Sequence, residues 1–428
     1  MARRCPALFI SAPASNHGKT TVTAALARHH LRQGRKVVVF KTGPDFLDPM
    51  ILQKAGGGVV RQLDLWLAGE SACRRMLYDA AADADLILIE GVMGLFDGAP
   101  CSADVAELFG IPVLAVIDAT GLAQTIGALA TGLASYRPSV TLAGVLANAV
   151  ASDRHEQMLI QGMPASIRYL GGIRRSATFA LPRQHLGLSP AEAVSDLDAR
   201  LNAVADAIAP LAAAALPAVV EFTSNECAPL EPLLQGQRIG IARDAAFSFL
   251  YPANLALLEA MGATLHYFSP LADVALPEVD SIYLPGGFPE LHLAALQENH
   301  PMHWALRDHV AAGKPLYAEC GGLLYLLESL TDKAGQQWLM TGVLPGTATM
   351  HGKMQGLGYQ TAPMPAGSLR AHTFHYSQIT MQLTPAAVGE RLFNTSAGEA
   401  IYRAGPVTAT YLHCYFPSNP IAAARLFL

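Results

Sequence analysis

The sequence predicts an α/β protein built as two parallel-sheet units in succession. Three observations lead there. Short apolar runs alternate with helical patterns along most of the 428 residues. Glycine-rich turns stand where a run ends and a helical pattern begins. The alternation also stops once, around 211–235, and then resumes. A chain of this length fits two domains better than one. With 51% hydrophobic and 15% charged residues it can bury a large core.

The first series reads as buried strands at Ala7–Ala12, Lys36–Lys41, Leu86–Glu90, Val113–Asp118 and Leu142–Ala147. Between them, Thr21–Gln33 and Thr125–Tyr136 are rich in Ala and Leu and read as helices. Strands that are apolar throughout belong in a mostly parallel sheet covered on both faces. From Leu211 to Gln235 prolines appear and periodicity is lost. The expected division is therefore a first domain at 1–210, a linker at 211–235 and a second domain at 236–428. The second series starts with Arg238–Ala242, Thr264–Tyr267, Ser281–Leu284 and Leu316–Ala318. From Thr341 onward turns, Thr and Tyr become frequent, which predicts a β-rich end. No repeat of solenoid length is present.

Composition excludes several classes. The formal net charge is -5 and no basic run occurs, so a nucleic-acid surface is not expected. The apolar stretch after the two arginines of MARRC is short and breaks at Pro13, so neither a signal peptide nor a membrane span is expected. The six cysteines form no C-x-x-C pair, which argues against zinc and redox motifs. The default is a cytoplasmic protein with free thiols.

Residues Ala12 to Thr21 (APASNHGKTT) lie between the first strand and the first helix, where a phosphate loop belongs. Backbone N–H groups of Asn16, His17, Gly18, Lys19, Thr20 and Thr21 at a helix N-terminus would hold phosphates. In such a loop Lys19 reaches the β- and γ-phosphates of ATP and Thr20 binds Mg²⁺. The strict pattern G-x-x-x-x-G-K-[ST] has Pro13 in place of its first glycine. Two acidic motifs follow at strand ends: KTGPDFLDP, from Lys41, and LILIEGVMGLFDG, from Leu86. Carboxyl ends of strands line the ligand crevice of open α/β sheets. Asp45 and Glu90 are thus placed to complete a Mg²⁺ shell with Thr20. Asp48 and Asp97 stand one turn further out, where an acceptor substrate would lie.

In this order and spacing, GKTTV, KTGPDFLDP and EGVMGLFDG resemble the synthetase domain of the cobyrinic (or hydrogenobyrinic) acid a,c-diamide synthases. That domain is related to dethiobiotin synthetase. The family has glycine where this chain has Asn16, a residue that tolerates left-handed backbone. By the same resemblance, Asn148 of GVLAN matches an asparagine that reads the nucleotide base. The segment LPRQHLGL, from Leu181 to Leu188, resembles a family segment near the nucleotide.

PLYAECGGLL, from Pro315 to Leu324, reads as strand, sharp turn and helix, with Cys320 at the turn. This is the elbow of a nucleophile at a helix N-terminus, where the helix dipole is expected to lower the thiol pKa. A second glycine-rich turn, LPGGFPE from Leu284 to Glu290, ends another strand. N–H groups of Gly287 and Gly321 would form an oxyanion hole. Both motifs are similar to the glutaminase domain of class I amidotransferases, in the branch of the cobyric and cobyrinic acid amidating enzymes. ATYLHCYF, from Ala409 to Phe416, matches that branch around its base, which implies His413. Tyr415 stands where many class I enzymes carry a glutamate, so a Cys-His dyad is expected. AHTFHYS, from Ala371 to Ser377, resembles another family segment. His372 and His375 are three apart on a predicted strand and face opposite ways, which favours a structural or interface role over a shared metal.

The resemblance runs from about Ala7 to Pro420 and implies a ligase. Cys320 and His413 would release ammonia from glutamine. ATP with Mg²⁺ would convert a carboxylate to an acyl phosphate, which ammonia displaces. The implied acceptor is a corrin polycarboxylate, amidated at its a and c acetates. The oligomeric state stays open, a homodimer included. Sister enzymes on other tetrapyrroles (cobyric acid synthase, nickel-sirohydrochlorin a,c-diamide synthase) are alternatives, although GPDFLDP and EGVMGLFDG fit the a,c-diamide branch better. A partition-type ATPase switch carries a second lysine in its loop, where this chain has Ala14.

Overall fold

A computed structural model describes residues 2–179, 196–224, 229–393 and 396–428. It divides into two compact units, Met1–Cys227 and Ala228–Leu428. The LPRQHLGL segment lies outside the described residues. Among those residues no helix is long and apolar enough to cross a membrane.

The first unit contains β1 (Arg3–Ser11), β2 (Val37–Lys41), β3 (Arg61–Gln62), β4 (Leu86–Glu90), β5 (Val113–Asp118), β6 (Leu142–Val150), β7 (Tyr169–Arg174) and β8 (Val219–Phe222). The order across the sheet is β3-β2-β4-β1-β5-β6-β7, with β8 beside β1. Neighbours along that path run parallel. Successive side chains of a strand point to opposite faces, and here both faces are apolar. Ala7, Phe9, Ile87 and Ile89 join one core with Cys73 and Leu77 of the helix Glu70–Asp83. Leu8, Ile10, Leu86 and Leu88 join the other with Val22 and Leu26 of the helix Lys19–Arg32 and Leu201 and Val204 of the helix Leu197–Ile208.

One strand comes from the stretch expected as linker. In β8, Val220 and Phe222 are buried while Val219 and Glu221 face out. The pair pins the first half of β1, which starts at Arg3 rather than Ala7 because Arg3 to Pro6 pair antiparallel with β8. A four-residue alternation is too short to stand out among prolines, and pairing with β1 is what makes it a strand.

The second unit has a parallel half formed by β9 (Arg238–Ala242), β10 (Thr264–Phe268), β11 (Ser281–Leu284) and β12 (Leu316–Glu319). Next come β13 (Ser329–Thr331), β14 (Gln337–Leu339), β15 (Gly346–Met350), β16 (Gly356–Met364), β17 (Gly367–His375), β18 (Ser377–Met381), β19 (Ala387–Arg391), β20 (Ala397–Ala404), β21 (Val407–Thr410) and β22 (His413–Tyr415). The main sheet runs β10-β9-β11-β12-β21-β20-β19-β16-β17-β22, and β14-β13-β15-β18 form a smaller one. The β-rich end predicted beyond Thr341 comprises every strand from β15 on. The decisive pairing for chemistry is β12 with β21, which are parallel with Glu319 opposite Thr410. It sets the turn after β12 beside the turn after β21.

Candidate active sites

The first site gathers at the carboxyl ends of β1, β2 and β4. Between Ser11 and Lys19 the chain turns with Asn16 at φ +69° and Gly18 at φ +94°. Asn16 thus takes the left-handed backbone that glycine would otherwise supply. A Cβ on Gly18 would fall 2.2 Å from the Asn148 amide nitrogen, so that position is closed to any side chain. The Asn148 amide donates to the His17 carbonyl (3.0 Å), and His17 Nδ1 accepts from the Asp118 N–H (2.9 Å). The residue implied as a base reader therefore braces the loop in this state. Lys19, Thr20 and Thr21 open the helix, and Lys19 Nζ donates to the carbonyls of Ala14 and Met93. Burial, with Lys41 close by, lowers the Lys19 ammonium to about 8.

Beneath the loop lies an acidic cluster around a lysine that the sequence reading passed over. Lys41, the last residue of β2, is 2% exposed. Its Nζ stands 2.9 Å from Asp48, 3.0 Å from Glu90 and 3.7 Å from Asp45. Thr20 Oγ1 donates to the same Glu90 oxygen at 2.8 Å. Asp48 was expected further out, apart from Asp45 and Glu90; the structure brings all three together. The reason is local. Asp45 Oδ1 accepts the N–H groups of Leu47 and Asp48 (2.9 and 3.2 Å), which starts the helix Leu47–Gly56. Asp48, in its first turn, meets Lys41. Asp97 does stand apart from Lys41's ion pairs. Its carboxylate accepts the Gly94 N–H (2.9 Å) within its own turn.

Three carboxylates share one buried cation. Burial penalises charge on Lys41, but Asp48, Glu90 and Asp45 outweigh it and keep the ammonium protonated. Burial together with Asp48 raises Asp45 to about 8, and burial raises Glu90 to about 7. Burial works the same way on Asp48, but Lys41 and hydrogen bonds from Asp45, Lys41 and Thr20 hold it down to about 2. Asp48 Oδ1 and Glu90 Oε2 are buried without a hydrogen bond, so each has lone pairs to offer a cation. Among the described residues no group of three or more His, Cys, Asp or Glu is arranged to hold a metal ion by itself.

The second site lies at the ends of β12 and β21. Cys320 occupies the turn into the helix Gly321–Leu326 with φ +43° and ψ −103°, a strained setting for a residue with a side chain. Its N–H donates to the Thr410 carbonyl at 2.8 Å. His413 opens β22, shortly after β21 ends at Thr410, and is 1% exposed. A Cβ on Gly286 would lie 2.3 Å from His413 Cε1 and 3.4 Å from Cys320 Cβ, so thiol and imidazole flank one glycine. A Cβ on Gly321 would come 3.1 Å from the Gly287 nitrogen, which brings the two expected oxyanion donors together. The His413 ring stacks on His372 with centroids 5.0 Å apart, and His372 Nδ1 meets the Tyr251 hydroxyl at 2.9 Å. His375 has other partners: Glu399 (3.2 Å), the Ser377 carbonyl (2.9 Å) and the ring of Tyr411 (3.7 Å).

The expected low thiol pKa is not found. Burial, then Glu290, push the Cys320 thiol well up, and the Gly321 N–H offsets little of it. Burial, with His375, lowers His413 to about 3. The resting pair is a neutral thiol and a neutral imidazole. A helix of six residues has too small a dipole to overcome complete desolvation.

Comparison with known proteins agrees with both halves. Residues 8–188 match the CobQ/CobB/MinD/ParA nucleotide binding domain, and residues 238–421 match the CobB/CobQ-like glutamine amidotransferase domain. The hydrogenobyrinate a,c-diamide synthase of Stutzerimonas stutzeri is 58% identical over 99% of this chain and 99% of its own. The chain belongs to the a,c-diamide synthase family. The Pseudomonas aeruginosa hydrogenobyrinate a,c-diamide synthase is 56% identical over 99% of this chain and 97% of its own. The cobyrinate a,c-diamide synthase of Herminiimonas arsenicoxydans is 48% identical over 98% and 96%. As an a,c-diamide synthase family member, the chain is a ligase-type enzyme with a nucleotide-binding unit and a glutamine amidotransferase unit. Sequence reasoning missed Lys41, a charged residue at the end of an apolar strand, which is the one signal that would have marked it.

Proposed function

We propose that this chain amidates the a and c acetate carboxylates of hydrogenobyrinic or cobyrinic acid, consuming ATP and taking nitrogen from glutamine. The full-length identity of 58% to a hydrogenobyrinate a,c-diamide synthase carries this reading. The two clusters support it, because each has the groups that its half-reaction needs. The first unit, extended past residue 210 by β8, would form the synthetase domain and the second unit the glutaminase domain.

In the synthetase half, N–H groups from Asn16 to Thr21 and the Lys19 ammonium bind the phosphates. Thr20, Asp45 and Glu90 would hold Mg²⁺, and the open oxygen of Asp48 makes it a fourth candidate. The ion supplies charge neutralisation and alignment of the phosphates when bound. Asn148 is poised to leave the loop carbonyl for the base. Asp97 borders the acceptor. A carboxylate oxygen of the corrin attacks the γ-phosphorus, ADP leaves, and ammonia displaces phosphate from the acyl phosphate.

In the glutaminase half, His413 takes the Cys320 proton as the sulfur bonds to the amide carbon of glutamine. Gly287 and Gly321 N–H groups receive the developing oxyanion. Ammonia leaves with the proton from His413, and water releases glutamate. A free thiol at Cys320 fits a reducing cytoplasm. The test is incubation with ATP, Mg²⁺, glutamine and either acid, followed by mass spectrometry. Diamide from one or both acids is expected. ATP and glutamine turnover with no amide on either corrin would overturn the reading.

A further inference from the structure

We propose that Glu319 is the positioning residue of the glutaminase site, a carboxylate that orients His413 from the strand before the nucleophile. The inference rests on the glutaminase reading above. The position two residues after the base, where class I enzymes carry a glutamate, holds Tyr415, whose ring packs on Tyr251 at 5.5 Å. The β12–β21 pairing supplies a carboxylate from another direction. Glu319 precedes Cys320 and sits opposite Thr410, three residues before His413.

The carboxylate is 1% exposed and firmly held. Oε1 accepts from the Tyr317 hydroxyl at 2.8 Å and the Cys414 N–H at 2.9 Å. Oε2 accepts from the Tyr283 hydroxyl at 2.8 Å and lies 4.0 Å from His413 Nδ1. Of these three donors, the Cys414 N–H, from the residue after the base, ties this carboxylate to the segment that carries His413, and the two tyrosine hydroxyls hold it to β11 and β12. Burying a carboxylate is costly, and three donors on one group mark a built position rather than a stray charge. The 4.0 Å gap is longer than a hydrogen bond by about 1 Å, and catalytic hydrogen bonds commonly tighten only once substrate is bound.

The chemistry gives Glu319 its task. The resting imidazole is neutral, and it acquires positive charge when it takes the Cys320 proton. Glu319 neither gains nor loses a proton in the step. As the gap closes it would accept Nδ1–H, which leaves the lone pair of the other nitrogen to take the Cys320 proton, and it would stabilise the transient imidazolium. Burial raises Glu319 to about 7, while the Cys414 N–H and the Tyr283 and Tyr317 hydroxyls pull it down. The groups facing it are Tyr283 from β11, Tyr317 from β12, and His413 and Cys414 from β22. Above that value the carboxylate is ionised and the site is competent, so glutamine use should rise through an acidic limb near pH 7.

The experiment measures glutamate release with ATP, Mg²⁺ and acceptor present, across pH, for wild type, Cys320→Ala, Glu319→Gln, Glu319→Asp and Tyr283→Phe. Ammonium-driven amidation, which does not use the thiol, reports that each variant is folded. Glu319→Gln should lower glutamine kcat by on the order of 10²- to 10⁴-fold and lose the acidic limb, with partial recovery in Glu319→Asp. Tyr283→Phe removes a donor, so its limb should move to higher pH. That variant keeps the carboxylate and answers the question even if Glu319→Gln does not fold. A Glu319→Gln rate within about three-fold of wild type, or an unmoved limb in Tyr283→Phe, overturns the assignment. If Cys320→Ala retains glutamine use, the glutaminase reading itself fails. If Cys320→Ala loses it and Glu319→Gln does not, only the role of Glu319 fails.

Discussion

The two sites bury ionisable groups in opposite ways. Around Lys41 three carboxylates crowd one ammonium, and protons raised onto Asp45 and Glu90 offset the excess negative charge. Around Cys320 the thiol and His413 are both neutral at rest. Under the proposed mechanism the first arrangement would take a cation from outside, and the second would make its own ion pair by moving one proton. The contrast shows that burial alone does not assign a role; the sign and number of neighbouring charges do.

The largest test separates the two halves by crossed variants. Cys320→Ala should lower glutamine-driven amidation by more than about 10⁴-fold while amidation with ammonium chloride at alkaline pH persists. Glu90→Gln should lower amidation with either donor by on the order of 10²-fold or more while glutamate release continues. The measurement is diamide and glutamate formed with each nitrogen source. Wild-type amidation by Glu90→Gln with unchanged Mg²⁺ dependence would break the contrast, as would loss of both donors in Cys320→Ala.

A smaller effect concerns pH and the metal. Asp45 and Glu90 have folded values raised to about 8 and 7 from ordinary values of 3.8 and 4.5. Carboxylates raised on folding favour the protonated native state. Their contribution is full below the ordinary values and is lost as pH rises through the folded ones. The metal-free first unit should therefore lose Tm between about pH 4 and about pH 8 and change little above that. Added Mg²⁺ with ATP should restore more at the alkaline end than at the acidic end, at about 2–4 °C per kcal/mol for a unit of this size. Asp48, lowered to about 2, acts in the opposite sense and matters only in acid. Calorimetry showing equal restoration at both ends would remove the cluster from metal binding.

The smallest expected effect is at Asp97. Asparagine keeps the oxygen that accepts the Gly94 N–H, so the turn should survive. Asp97→Asn should change the ratio of mono- to diamide by about 3-fold or more with the ATP KM within about 2-fold. An altered ATP KM with an unchanged product ratio would move Asp97 to the nucleotide side.

Much of this was legible in one dimension. The strands of the first unit are apolar on both faces, so their runs are continuous and easy to read. The phosphate loop and the Cys320 elbow are local turns with glycine where backbone must approach closely, and local turns are written in adjacent residues. Less was legible where contacts cross long stretches of chain. Strand β8 exists because β1 accepts it. Asp48 joins Asp45 and Glu90 because a helix start aims it at Lys41.

By itself the sequence determined two α/β units, a loop ending in Gly18-Lys19-Thr20 and a strand-turn-helix elbow at Cys320, while His413 entered as what the family resemblance implies. The units, the loop and the elbow follow from periodicity and turn chemistry, both of them local. Tertiary structure alone decided which carboxylates share Lys41, that the Cys320 thiol rests protonated, and that Glu319 reaches the neighbourhood of His413 across the β12–β21 pair. The physical reason is the same in each case. Coulomb and desolvation energies depend on distance and dielectric, and folding sets both between residues far apart in the chain.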